Sequence, residues 1–451
     1  MVVSCLAVFT VLRQIEPLLL LEQLGASFFY AALQMVVKDR SVNASCPVNP
    51  NASQPTEESQ QKFISDFYMI YYLILQVAPI LPAVLLAKIG DRGWRKAPIV
   101  VPLFGYFQCS LTLLLVVLFN LPMEVMFGAA ALFGLSGGFC AFWSGVMTLI
   151  SLGSTADDRS KAMMRMELLY ASTGLVANLA SGHLFLMYSS RLGRGTFLLC
   201  VSTLFNLMCL IHSFVLLQVK QITNQESEEN RQLISDASLR VPTEASGGIN
   251  KVNVVLLFAA AMLYISGYDG SVDMLPTFVM KEPLNWNATQ MGYGNAAGSV
   301  IVLTSFLAVI VFRRCCSDSM LILIGMLSFA SGIFFMSFVT TTYMFFLARS
   351  LNMFALIPVP MIRSLLSQEV PASSYGITLT SLQVSLKVAG LAYIPAFTKI
   401  YQKTLSWFPG FIFTLSATLT VLAMIPISIV GCRSSRHEIC GKWQNRHHHK
   451  Q

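Results

Sequence analysis

VKQITNQESEENRQLISDASLRVPTEASGGINK, residues 219–251, is a polar stretch near the middle of the chain. Its charges and scarcity of large apolar side chains mark it as a solvated linker without a core of its own. On each side of it, charges gather in short patches separated by apolar runs of about 20 residues, the length a helix needs to cross a bilayer. Six runs precede it, at roughly 14–37, 64–87, 98–118, 125–151, 166–189 and 195–218. Six follow it, at roughly 252–279, 290–312, 320–339, 343–366, 376–398 and 408–431. The pattern predicts an all-α membrane protein with twelve transmembrane helices in two six-helix halves. These are an N-terminal bundle (1–218), a cytosolic linker (219–251), a C-terminal bundle (252–431) and a cytosolic tail (432–451). Composition agrees: hydrophobic residues make up 55% of the 451 and charged residues only 12%, against about 25% charged in soluble domains. That excludes a water-soluble enzyme and a disordered chain, and a net charge of +8 does not make it a nucleic-acid binder.

The positive-inside rule orients the chain. With both termini in the cytosol, nineteen of the 30 basic residues fall on the cytosolic side, and three fall inside spans: Arg349, Arg363 and Lys387. Three glycosylation sequons, at Asn43, Asn51 and Asn287, all fall in loops assigned to the outside. Plasma-membrane residence is expected. An acidic dileucine pattern, Glu229-Asn-Arg-Gln-Leu-Ile234, points to an endolysosomal membrane as the alternative. Only Cys46 lies in an outer loop, so no disulfide pair is expected there.

Charges within spans are costly, about 2.5–3.5 kcal/mol each at mid-membrane on insertion scales, so they point to function. The seventh run reads Ile265-Ser-Gly-Tyr-Asp-Gly-Ser-Val-Asp-Met-Leu-Pro276. Asp269 and Asp273, four apart, share a helix face, and Gly267, Gly270 and Pro276 are expected to weaken the helix around them. In the first run Glu16-Pro17 is a helix start, whereas Glu22 is too deep for a capping role. In the tenth run Arg349 and Arg363 are expected on one face of a helix bent by Pro358 and Pro360. Lys387 lies near the middle of the eleventh run. Together these groups suit an anionic or zwitterionic solute. Glu167 opens the fifth run beside Arg165, where a local ion pair competes with a coupling role. Trp143 either stacks a planar substrate or packs. Gly134-Leu-Ser-Gly-Gly138 and Gly294-Asn-Ala-Ala-Gly298 read as small-residue contacts between helices. The sequence carries no Walker loop, zinc motif or nucleophile elbow, and neither cofactor nor metal nor enzymatic activity is expected.

Gly90-Asp-Arg-Gly-Trp-Arg-Lys96 resembles the loop motif of the major facilitator superfamily, with Asp91, Arg92, Arg95 and Lys96 matching and Trp94 replacing a glycine. The wider chain resembles solute carrier family 46, through Glu16-Pro17, Ala180-Ser-Gly-His-Leu184, Trp286 with Gly292-Tyr-Gly294, and Met361-Ile-Arg-Ser364. The resemblance implies a twelve-helix facilitator fold, alternating access and proton-linked import of anionic solutes such as folates, peptidoglycan fragments or cyclic dinucleotides. It places Glu22, Trp143, Asp269 and Arg349 near the path, and makes the Asp91 loop a gating motif. The family's folate transporter carries a glutamate where Tyr170 aligns and a histidine where Tyr268 aligns. Coupling is therefore expected at Glu22, Glu167, Asp269 or Asp273, with Trp143, Tyr268, Arg349, Arg363 and Lys387 binding substrate. The expected partners are a small anionic organic solute, protons and membrane lipid, and no nucleic acid polymer. The alternative from another class is a non-transporting receptor or scaffold.

Overall fold

The computed structural model of the chain describes residues 15–44, 57–92, 94–152, 159–192, 195–215, 217, 251–312, 315–370 and 372–448. The expected linker as far as residue 250, with its dileucine pattern, and Cys46 and Asn51 lie outside them, whereas Lys251 already belongs to a helix. Fifteen α-helices account for most of these residues, and no strand occurs among the described residues.

The chain forms two compact units. Unit 1 comprises Met1–Arg40 and Ile70–Gly248; unit 2 comprises Ser41–Met69 and Ile249–Gln451. The first eight helices are α1 (Glu16–Ala44), α2 (Glu57–Val77), α3 (Ile80–Asp91), α4 (Ala97–Leu118), α5 (Val125–Leu135), α6 (Gly138–Leu152), α7 (Arg159–Leu192) and α8 (Thr196–Val215). In unit 1, α4 is the central element and packs on α5, α6 and α8. The other seven are α9 (Lys251–Val279), α10 (Ala288–Phe312), α11 (Asp318–Met336), α12 (Thr342–Leu351), α13 (Pro358–Gln368), α14 (Ala372–Thr404) and α15 (Phe411–His448). In unit 2, α15 packs along both α9 and α11.

Nine stretches of the described residues are long and apolar enough to cross a membrane. They coincide with nine of the twelve expected runs. The other three runs coincide with α7, with α12 and α13 together, and with α14.

Helix ends follow local chemistry. Ser317 and Thr341, both with extended backbone, accept the amide protons of Met320 and Met344 at the starts of α11 and α12. Asn287 and Gln290 exchange side-chain-to-backbone bonds of 3.0 Å at the start of α10, a reciprocal cap. The small-residue stretch 134–138 does pack closely, with Ala78 against Gly134 and Pro79 against Gly138, and it also holds a break. Gly137 and Gly138 have φ of +95° and +55°, a conformation that costs other residues a Cβ clash, and α5 ends and α6 begins there.

The start of α2 is tied into unit 2 by polar contacts. Lys399 Nζ lies 2.9 Å from Asp66 Oδ1, and the Gln402 amide donates to both Ser65 Oγ and Asp66 Oδ1 at 2.8 Å. Glu57 sits 3.5 Å from Lys281 and accepts the Glu282 amide proton at 2.9 Å.

Candidate functional site

Each unit carries its own cluster of ionisable groups inside apolar helices. In unit 1 the centre is Glu22 on α1, with 0% exposure. Tyr106 of α4 and Tyr170 of α7 turn their hydroxyls toward its carboxyl. Neither reaches good hydrogen-bonding geometry, and both Glu22 oxygens lack a bonded partner among the described residues. Trp143 on α6 packs edge-on against Tyr170, with centroids 5.0 Å apart, and stacks on Phe139 at 5.7 Å. Three residues singled out in the sequence, Glu22, Trp143 and Tyr170, are thus brought together. Tyr106, which the sequence did not distinguish from a packing tyrosine, joins them. Glu167 stands half-buried on α7 one turn before Tyr170.

In unit 2 the centre is α9. Asp269 accepts a 3.3 Å hydrogen bond from Tyr393 Oη of α14, and Lys387, also on α14, lies within electrostatic reach of Asp269 and Asp273. The sequence predicted a helix weakened by glycine here, but α9 runs unbroken from Lys251 to Val279. Its glycines serve packing instead. A Cβ on Gly270 would stand 3.0 Å from the Phe397 ring, and Gly267 lies against α15, where Ser416 Oγ donates to its carbonyl at 2.7 Å.

Tyr268, next to Asp269 on α9, lies within electrostatic reach of Arg349 and of both aspartates, and its ring packs at 5.1 Å on Phe329 and 6.1 Å on Tyr264. Arg349 Nε is buried and has no hydrogen-bond partner among the described residues. Gly298 of α10 leaves room for the guanidinium, since a Cβ there would stand 3.2 Å from Nη2. The glycines at 294 and 298, expected to bring two helices together, instead receive the Trp286 ring and the Arg349 head.

The tenth run also departs from expectation. Arg349 and Arg363 do not share one helix: α12 ends at Leu351, residues 352–357 turn, and α13 starts at Pro358. The reason is that the backbone freed by the break finds partners on three neighbouring helices. Ser328 Oγ donates to the Leu351 carbonyl and accepts from Phe354 N–H at 3.2 Å. Thr304 and Ser305 both donate to the Met353 carbonyl, at 2.7 and 3.0 Å, and Ser305 Oγ accepts from Leu356 N–H at 3.2 Å. The Tyr264 hydroxyl donates to the Ala355 carbonyl. Non-helical backbone at membrane depth is tolerated only when so satisfied. Arg363 is half-buried on α13 and has a partner of its own.

Of the expected gating motif, Arg92 is exposed and Arg95 and Lys96 are half-buried; the Asp91 side chain lies outside the described part, as does that of Asn43. Asn287 is exposed. Among the described residues no group of three or more His, Cys, Asp or Glu is placed to hold a metal ion.

The sequence profile of the Major Facilitator Superfamily matches residues 17–392. Solute carrier family 46 member 2 of dog (Canis lupus familiaris), the thymic stromal cotransporter, is 39% identical over 450 residues, covering 93% of both chains. The lysosomal proton-coupled steroid conjugate and bile acid symporter of chicken (Gallus gallus) is 28% identical, covering 84% of this chain and 82% of its own. Among solved structures, the D-xylose–proton symporter superposes with a TM-score of 0.64 at 15% identity, covering 92% of this chain and 96% of the other. That likeness shows the fold.

Proposed function

The chain belongs to the major facilitator superfamily and, within it, to solute carrier family 46, and from that premise we propose that it imports anionic organic solutes by alternating access, with protons as the coupling ion. It is a multi-pass membrane transporter by family. The observation that carries the finer reading is a pair of carboxyls, Asp269 and Asp273, one turn apart on the span-length helix α9, with Asp269 hydrogen-bonded by Tyr393 of α14 and Lys387 of α14 within electrostatic reach of both. Taking a charge out of water costs several kcal/mol even after relaxation, so such groups persist where they act. Protonating a buried carboxyl removes the cost of its charge, which lets the same residues bind and release a proton. Glu22 supports the reading from unit 1, with Glu167 as the further coupling candidate on α7. Arg349, Arg363 and Lys387 supply positive charge for the solute, and Tyr268 and Trp143 supply aromatic faces. Asp91, Arg92, Arg95 and Lys96 form the gating loop.

The folates, peptidoglycan fragments and cyclic dinucleotides implied by the family resemblance are the first solutes to try. The chicken relative's name adds steroid conjugates and bile acids. Plasma-membrane residence remains the reading from sequence; that relative's lysosomal name favours an endolysosomal membrane as the second reading. Uptake of this labelled panel at about pH 5.5 and about pH 7.4 tests coupling, with the protein located by microscopy in the same cells. Acid-stimulated uptake of at least one anion is expected. Uptake indifferent to pH removes the proton, and absence of uptake for the whole panel, with the protein present in the assayed membrane, favours a receptor or scaffold.

A further inference from the structure

We propose that Asn206 of α8 is the second member of the proton site in unit 1: its side-chain carbonyl accepts the hydrogen bond of Glu22 when that carboxyl carries the proton. The inference rests on the coupling role given to Glu22 above and deepens it by naming what holds the proton.

The placement follows from the register of two antiparallel helices. Cys209 Sγ donates to the Leu18 carbonyl at 3.4 Å, and Ser202 Oγ donates to the Gly25 carbonyl at 2.7 Å. The two contacts are seven residues apart on α1 and seven apart on α8, so the helices keep one register between them. Glu22 stands four residues after Leu18 and three before Gly25, which puts all three on one face of α1. At the helical rise per residue its level on α8 falls between Cys209 and Ser202, within about 1.5 Å of Asn206 along the axis. Asn206 is turned toward α1 at this level. A Cβ on Gly25 would stand 2.6 Å from its Oδ1, so the missing side chain is what admits the amide.

Chemical need pairs the two groups. Glu22 is 0% exposed and Asn206 1%. Neither carboxyl oxygen of Glu22, nor Asn206 Oδ1, has a donor among the described residues. A buried acceptor without a donor is destabilising. Two such acceptors side by side are satisfied together by one proton, taken up on a Glu22 oxygen and donated to Oδ1. When the proton leaves, Glu22 offers acceptors only, and Oδ1 no longer binds it. Asn206 therefore favours the protonated form. The other titratable groups near Glu22 are Tyr106 of α4, Tyr170 of α7 and Cys209 of α8. A tyrosine hydroxyl donates to a carboxyl in either state, so the tyrosines discriminate less than Oδ1 does. Glu167 on α7, His212 on α8 and Tyr30 on α1 lie a turn or more away along their helices and have partners of their own.

Infrared difference spectroscopy reads the C=O band of a protonated carboxyl, and needs no substrate. The full-length chain is titrated in nanodiscs, and the band that Glu22→Gln abolishes belongs to Glu22. Asn206→Leu keeps the volume and removes the acceptor. The pH at which the Glu22 band is half developed is expected to fall by about half to one pH unit, and the band to move to higher frequency as its O–H loses a partner. Gly25→Ala, whose Cβ displaces the amide, is expected to act in the same direction and carries the test if Asn206→Leu does not fold. Ser202→Ala is the control: it removes a neighbouring bond between α1 and α8, spares the amide, and is expected to leave the midpoint in place. The pH midpoint of acid-stimulated uptake is expected to follow the band in each variant. An unmoved band midpoint in Asn206→Leu, or an equal shift in Ser202→Ala, overturns the proposal. So does a Glu22 carboxyl that shows no band between about pH 4 and about pH 9. Uptake indifferent to pH, beside a Glu22 band that responds to Asn206→Leu, would remove proton coupling and leave the proton site standing.

Discussion

Glu22 is a glutamate with 0% exposure, two tyrosine hydroxyls turned toward it and no hydrogen bond closed on either oxygen. An ionisable group so placed is expensive to the fold and is expected to be there for work. Glu22→Gln keeps the volume and removes the charge. It is expected to raise stability at neutral pH by about 1–2 kcal/mol, read as a higher melting temperature, because an unpaired buried carboxyl is destabilising. The same variant is expected to lose the acid stimulation of uptake. A lower melting temperature with unaltered uptake would instead make Glu22 a structural residue. The sequence exposed this position by elimination, since Glu22 lies past the reach of any helix-start role. Its neighbours were not legible in the same way. Tyr106 looks like any tyrosine of an apolar helix, and Tyr170 stood out only through the family resemblance. What makes them a site is that α1, α4 and α7 converge, and nothing local to any one helix encodes that.

At the scale of elements, glycine and proline were read correctly as signals and incorrectly as outcomes. Gly267 and Gly270 promised a weak helix, yet α9 is continuous because its neighbours press into the space the missing side chains leave. Pro358 and Pro360 promised a bend, yet the chain breaks between α12 and α13 because side chains of α9, α10 and α11 hold the loosened backbone. In both cases the deciding partners lie far away in sequence. Ser305 gives the sharpest test, being 3% exposed and bonded to Met353 O and Leu356 N. Ser305→Ala leaves the Leu356 amide without its acceptor, and is expected to cost about 1–3 kcal/mol. Ser428→Ala is the control. That hydroxyl donates only within its own helix, to Met424 O, from an exposed position, and its loss is expected to change stability by less than about 0.5 kcal/mol. Equal melting shifts in the two variants would mean that Ser305 is not what secures the break. Because Arg349 sits one turn before it, Ser305→Ala is also expected to weaken the uptake of anions.

The whole molecule has to be threaded through a bilayer with one hand, and loop charge gives the expected one: nineteen of 30 basic residues belong to the cytosolic side if both termini do. The fold class was legible because a span must satisfy a length and a hydropathy that few other structures share. Orientation depends on loop charges alone, and Asn287 offers the means to test it. It is exposed, it opens a sequon with Ala288 and Thr289, and its side-chain oxygen caps α10 while the amide nitrogen remains available to a glycan. Thr289→Ala destroys the sequon and spares the cap, whereas Asn287→Gln destroys both. With the other two sequons removed, both variants are expected to migrate as the enzymatically deglycosylated parent does. Asn287→Gln alone is expected to melt lower, by about 1 kcal/mol, for loss of the cap. A parent with only this sequon that does not shift on deglycosylation would put the loop before α10 in the cytosol. The linker and both termini would then face the other way, and the gating loop with them, because an even number of expected spans ties all four to one side.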